Sequence, residues 1–201
     1  MFNRYRNSKT TQYKMSNILL VSATKLEHHD EELFGHRIHI IGVGKVEAAL
    51  NTKKLIEQHK LAWGGGKPRH IINFGSCGNL ASHKVGDVLE VGEIYDDFYG
   101  CVVPEHEPIK ISDSNIKLFT TDTFYDKSAV YSNHYHNMIN NCDLVDMEGY
   151  SIAKVCKSER ISLSLYKWVS DDGVKSSWLE NAAVGYNNFK VIFKEWLEQQ
   201  K

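Results

Sequence analysis

His70-Ile71-Ile72-Asn73-Phe74-Gly75-Ser76-Cys77-Gly78-Asn79 is a short apolar run that ends in a cluster of small residues. A continuous apolar run of this length, closed by turn formers, reads as a strand buried in a sheet. The glycines let the backbone turn tightly or let another group approach it closely. The pattern recurs along the chain. Ile18-Leu19-Leu20-Val21 runs into Ser22-Ala23-Thr24, and Arg37-Ile38-His39-Ile40-Ile41 runs into Gly42-Val43-Gly44-Lys45. Lys117 to Thr121 leads to Asp122-Thr123-Phe124-Tyr125, and Leu144-Val145-Asp146-Met147 leads to Glu148-Gly149. Val85 to Val91 reads as a turn entering a strand, and Ile161 to Val169 largely alternates apolar with polar residues.

Helical spacing lies between these runs. Val46 to His59 carries Val46, Ala49, Leu50 and Ile56, with Leu55 beside them, before Gly64-Gly65-Gly66-Lys67-Pro68 breaks the chain. A second helix is expected over Tyr150 to Ser158. A third, about Leu179 to Gln199, carries Ala182, Ala183, Tyr186, Phe189, Ile192, Phe193 and Trp196. Residues 100–116 show no regular pattern. Strands that alternate with helices predict an α/β sandwich around a largely parallel or mixed sheet.

The 201 residues suit one domain, expected over residues 17–201. Residues 1–16 are polar and basic, with Arg4, Arg6, Lys9 and Lys14 but no apolar core. They read as a disordered extension and not as a secretory signal. A net charge of −1 gives no case for nucleic acid or an anionic membrane surface. No run approaches the ~18 apolar residues of a membrane span. Cys77, Cys101, Cys142 and Cys156 form no CxxC pair, which fits reduced thiols in the cytoplasm. His28, His29, His36 and His39 lack metal-ligand spacing and read as surface residues. His134 and His136 would share one face of a strand, without a third ligand. Neither a metal nor a cofactor is expected.

Val145-Asp146-Met147-Glu148-Gly149 and Val169-Ser170-Asp171 carry the chemistry. Their acids are expected at the ends of adjacent strands, where an α/β sheet builds its ligand crevice. One can grip a sugar hydroxyl while the other protonates a leaving group, as cleavage of a glycosidic bond requires. Taken singly, Glu148 and Asp171 are also explained as a helix N-cap and a turn acid. Gly42-Val43-Gly44-Lys45 completes neither a dinucleotide fingerprint nor a phosphate loop, so its glycines read as a tight turn. GxSxG is absent, so Ser76 is not placed on a hydrolase elbow. Phe124 either stacks on a purine or packs in the core.

Ile71 to Gly78, Thr121-Asp122-Thr123-Phe124, Val145 to Gly149 and Val169 to Asp171 resemble the signature segments of the purine nucleoside phosphorylase superfamily. Within it they look most like the 5′-methylthioadenosine/S-adenosylhomocysteine nucleosidases. The resemblance runs from about Asn17 to Asp171 and includes Gly42 to Val46. It implies a three-layer α/β/α sandwich with a mixed, largely parallel central sheet. It also implies cleavage between purine N9 and ribose, most simply in an adenine nucleoside, by an enzyme that acts as a homodimer.

By matching motif positions, Asp171 would be the general acid toward N7, and Glu148 would bind the ribose and stabilise its cation. Met147 would pack beneath the ribose, Phe124 would stack on the base, and the Tyr125 backbone would meet its edge. Ser76, Cys77, Gly78 and Ser170 belong to the same binding segments. Counting from Ala23 places Glu27 at the residue that holds the attacking water, with Glu31 and Glu32 as substitutes. Family phosphorylases carry an arginine three positions before the serine of the glycine loop; here Asn73 stands there, which favours water over phosphate. Arg37 lies away from that loop. Trp178 is either a lid on the 5′ pocket or an ordinary aromatic. Residues 99–118 are shorter than in relatives. A phosphate-dependent phosphorylase and a non-catalytic nucleoside-binding protein are the alternative readings.

Overall fold

The computed structural model describes residues 17–98 and 106–200. Among them, ten strands make one mixed sheet: β1 (Ile18–Ser22), β2 (Glu32–Leu33), β3 (His36–Ile40), β4 (His70–Asn79), β5 (Val88–Glu90), β6 (Glu93–Asp96), β7 (Ile109–Lys110), β8 (Lys117–Thr120), β9 (Leu144–Asp146) and β10 (Ser162–Asp171). The order is β2-β3-β1-β4-β9-β8-β6-β7, with β10 paired to β4 and β5 paired to β10. The β3–β1, β1–β4, β4–β10, β9–β8 and β8–β6 pairings are parallel, and the β2–β3, β4–β9, β5–β10 and β6–β7 pairings are antiparallel.

The helices α1 (Lys45–Ala62), α2 (Asn133–Asn141), α3 (Gly149–Glu159), α4 (Lys175–Asn181) and α5 (Tyr186–Gln199) complete the fold. Alternation along the strands separates two cores. Leu19, Val21, Ile71, Leu163 and Leu165 face α1 and α3, meeting Ile56, Ile152 and Cys156. Leu20, Ile72, Phe74, Tyr166 and Trp168 face α5, meeting Tyr186, Phe189 and Phe193. A smaller cluster packs α2 on the sheet through Phe119, Met138 and Val145. The result is the three-layer α/β/α sandwich with a mixed, largely parallel central sheet that the sequence led us to expect.

Several local expectations change. The Gly75–Gly78 segment is not a loop, because β10 pairs beside β4 as far as Gly78. The strands bearing Asp146 and Asp171 are not adjacent; β4 lies between them, with Gly78 paired to Val145 on one side and Asp171 on the other. A Cβ on Gly78 would sit 2.9 Å from Val145 Cγ1, so only glycine fits this junction. On α1 the buried stripe is Ala48, Thr52, Ile56 and His59, whereas Val46 and Leu50 face outward. Small residues let that helix approach the sheet and α3.

The closing helix is two helices. Trp168 Nε1 donates to the Ala182 carbonyl at 2.9 Å, and a Cβ on Gly185 would lie 2.3 Å from Trp168 Cβ. The chain therefore crosses the Trp168 ring at residues 182–185 instead of continuing its turns. His134 and His136 lie on α2, two positions apart, and so cannot share the face a strand would give them. Ser132 caps this helix, its hydroxyl accepting from the Tyr135 N–H. His28 is buried against Phe74 and Tyr186, not on the surface. The expectations for residues 1–16 and 99–105 lie outside the described residues.

Candidate active site

A cavity of about 200 Å³ opens where β1, β4, β8, β9 and β10 end. The parallel strands β1, β4 and β10 deliver their carboxyl ends to the same edge, and the antiparallel Gly78–Val145 junction of β4 with β9 brings the ends of β8 and β9 against them. The lining includes Glu27 after β1, Ser76, Cys77 and Gly78 at the end of β4, and Thr121, Phe124 and Tyr125 after β8. Met147 and Glu148 follow β9, Asp171 ends β10, and Lys175 and Trp178 come from α4.

Glu27 sits in a short 3-10 turn, Lys25–Glu27, whose start is capped by Thr24. Its carboxylate is buried and accepts four hydrogen bonds: Ser22 Oγ at 2.7 Å, Ala23 N at 3.2 Å, and Ser76 N and Oγ at 2.8 Å each. A Cβ on Gly75 would fall 2.7 Å from Glu27 Oε1, so the glycine is what lets this acid close on the strand. The Ser76 hydroxyl also accepts from Trp178 Nε1 at 3.0 Å. A chain of donors thus runs from Trp178 through Ser76 to Glu27.

Glu148 holds the N-cap position of α3 but makes no cap hydrogen bond. Its Oε1 instead accepts from Gly44 N at 2.8 Å, across the cavity edge from the Gly42–Lys45 turn. Burial raises the Glu148 carboxyl to about 7; Asp146 and Glu27 add to the rise, while Lys167 and the Gly44 N–H oppose it. The Lys45 side chain contributes no phosphate site: its Nζ lies 2.5 Å from both Asp96 Oδ1 and Asp97 Oδ1.

Asp146 does the structural work of the motif. Its carboxylate accepts from Thr120 Oγ1 at 2.7 Å and Gly149 N at 2.9 Å, and pairs with Lys167 Nζ at 2.9 Å. A Cβ on Gly149 would press on Leu118 at 2.6 Å and on Asp146 Oδ2 at 3.0 Å, which explains the closing glycine. Lys167 is only 1% exposed. Burial would strip its proton, yet Asp146, Glu148 and Glu27 outweigh that and raise its pKa.

Asp171 Oδ1 accepts from Gly173 N at 2.9 Å, and Oδ2 lies 2.8 Å from Ser170 Oγ. Burial raises the Asp171 carboxyl above the usual range against these donors. Ser170 Oγ also donates to the Cys77 carbonyl at 3.0 Å. A hydroxyl has one proton, so Ser170 serves either that carbonyl or Asp171 at one time, and burial is what favours the neutral acid. Segment 122–131 closes over this end, with Lys127 Nζ 2.5 Å from Asp172 Oδ2 and the Phe124 and Trp178 rings meeting edge to face at 6.4 Å.

The structure therefore brings together Glu27, Ser76, Cys77, Gly78, Phe124, Tyr125, Met147, Glu148, Asp171 and Trp178 around one cavity. Ser170 stands behind Asp171 and does not line it. The Cys77 thiol donates to the Trp168 carbonyl and burial raises its pKa far above the thiol range, so it serves packing. Glu31, Glu32 and Arg37 lie elsewhere, and the buried Asn73 amide donates to the Val21 carbonyl. Sequence reasoning missed Asp146 and Lys167. The signal for Lys167 was present: alternation places it on the inward face with Leu163, Leu165 and Val169. Among the described residues no group of three or more His, Cys, Asp or Glu is arranged to hold a metal ion. None of the described helices is long and apolar enough to cross a membrane.

Comparison with known proteins finds the same fold. A family model described as the phosphorylase superfamily matches residues 26–114. A 5′-methylthioadenosine/S-adenosylhomocysteine nucleosidase of Bacillus thuringiensis (strain Al Hakam) is 27% identical, over 83% of this chain and 84% of its own. The crystal structure of the nucleosidase of that name from Colwellia psychrerythraea 34H, in complex with adenine, superposes with a TM-score of 0.70 at 19% identity, covering 90% of this chain and 94% of that one. The Helicobacter pylori futalosine hydrolase superposes with a TM-score of 0.68 at 16% identity, covering 89% and 97%. In fold and in sequence alike, the chain resembles the phosphorylase superfamily, and within it most of all the 5′-methylthioadenosine/S-adenosylhomocysteine nucleosidases.

Proposed function

We propose that the chain hydrolyses the N-glycosidic bond of an adenine nucleoside, 5′-methylthioadenosine, S-adenosylhomocysteine or a close relative, and releases adenine. The observation that carries this reading is three carboxyl groups in three different environments around one cavity. Asp171, raised by burial, donates to purine N7 as the C1′–N9 bond electrons withdraw into the base. Glu148 binds the ribose hydroxyls and faces the oxocarbenium charge that develops on the sugar. Glu27, with Ser76, holds the water that attacks C1′ and takes up its proton. Phe124 and Trp178 flank the base, and Met147 lies under the ribose. The division resembles two-carboxylate glycoside hydrolysis, with the water assigned to a third acid.

Water is favoured over phosphate because the Ser76 end of the cavity already holds the Glu27 carboxylate, which repels an anion. The position that would supply a phosphate-binding arginine is Asn73, buried and turned toward Val21. Adenine release from 5′-methylthioadenosine in phosphate-free buffer tests the proposal. Strict dependence on added phosphate would replace hydrolysis by phosphorolysis, and tight binding without release from any adenine nucleoside would leave a binding protein. We assign the enzyme to purine salvage in the cytoplasm as a homodimer, with no nucleic-acid or membrane partner. Val46 and Leu50, 70% and 62% exposed on α1, support a covered face in the dimer, which sedimentation checks.

A further inference from the structure

A second cavity, of about 370 Å³, lies between β3, α1 and the segment that carries Lys25, His28 and Glu31. Its walls are fixed. Ile38 N donates to the Glu31 carbonyl at 2.9 Å on one side, and Asn51 Nδ2 donates to the Ile41 carbonyl at 2.9 Å on the other. Three cations, Lys25, Arg37 and Lys54, line it against the single carboxylate of Glu31. None of the three is held in an ion pair among the described residues.

The buried His28 forms part of the same wall. Its Nδ1 lies 2.7 Å from the Asp30 carbonyl, which only accepts, so Nδ1 carries the proton. Its Nε2 is buried without a hydrogen-bond partner, although a buried polar atom ordinarily has one. Excess positive charge in a walled cavity fits one chemical group well.

We propose that this cavity binds the phosphate group of a small molecule, at a site separate from the candidate active site and independent of the function assigned there. Arg37 offers two parallel N–H donors to the phosphate oxygens, and Lys25 and Lys54 add point charges. The rest of such a ligand would lie along Ile38, Ile41 and Leu55.

Titration of the intact protein with inorganic phosphate and with ribose 5-phosphate, followed by backbone amide NMR against chloride at equal ionic strength, tests this. Saturable shifts at Ile38 to Ile41 and Asn51 are expected with at least one probe, and tighter binding of the sugar phosphate would identify an ester as the ligand. Arg37→Gln and Lys54→Gln, both at exposed positions, should each weaken that binding by about tenfold or more. Three results would overturn the proposal: no saturation by either probe, shifts confined to the Ser76–Gly78 cavity, or binding unchanged in both variants.

Discussion

Replacing Glu148 with Gln should stabilise the folded protein at pH 8 while abolishing most of its activity. Burial carries the carboxyl from its ordinary 4.5 to about 7 in the folded chain. At about 1.4 kcal/mol per pH unit, that displacement amounts to roughly 3 kcal/mol. Between those two values the folded state holds a proton that the unfolded state has released. Stability of the native protein therefore falls as pH rises through this window, and the loss is complete above pH 7. Glutamine never ionises and escapes it, while its amide oxygen still accepts from Gly44 N. The raised pKa of Asp171 is common to both proteins and cancels in the difference. Urea unfolding followed by circular dichroism from pH 5 to pH 8 measures it. The gain should approach about 3 kcal/mol at pH 8 and shrink toward zero near pH 5, with the denaturant slope unchanged. A gap that is flat with pH, or a variant less stable than the parent at pH 8, would refute the reasoning.

Asp171→Asn should lower kcat by about 10²–10⁴-fold while the nucleoside still binds, as calorimetry would register; undiminished turnover would remove Asp171 from the proton transfer. Activity should fall on the acid side as Glu148 takes up its proton near 7, and a kcat that stays flat from pH 5 to pH 8 would argue against an ionised Glu148 in the reaction. Lys167→Met leaves Asp146 charged in the core and should cost about 3–5 kcal/mol, with Asp146→Asn in the same chain returning part of it. A double-mutant cycle in urea reads that coupling, and strict additivity would argue against the pair. Gly185→Ala drives a methyl into Trp168 and should cost about 1–3 kcal/mol, visible as a lower Tm.

The layered fold was legible because each long buried strand is a continuous apolar run that ends in small residues, a pattern that does not depend on distant partners. The acids that line the cavity were legible for the same reason, since they follow strand ends. What escaped depends on pairing across the chain. Gly75 to Gly78 has the composition of a loop, and only β10 alongside makes it a strand. Val46 and Leu50 are apolar and helically spaced, yet Ala48 and Thr52 point inward because α1 must approach α3 closely. The break between α4 and α5 lies in the position of Trp168, which has no local signature in residues 182–185. Strand β6 has only four residues and helix α2 only nine, too short for either to stand out in the sequence.

Lys167 gives the motif its electrostatic logic. Glu27, Asp146 and Glu148 are buried together at the wall of the cavity, and the Lys167 cation pairs directly with Asp146. Glu27 is compensated separately, by four hydrogen-bond donors. Glu148 retains one N–H, from Gly44, and the more distant charge of Lys167. It is the under-compensated member of the set, which is why burial lifts it toward neutrality. In the proposed reaction a ribose acquires positive charge at C1′ and would supply the compensating cation. The attraction is stronger in the transition state than with the neutral nucleoside, and interactions of that kind are the ones that raise kcat. On this account the instability that Glu148 brings to the folded protein and its contribution to catalysis have one origin, so removing the charge should exchange one for the other.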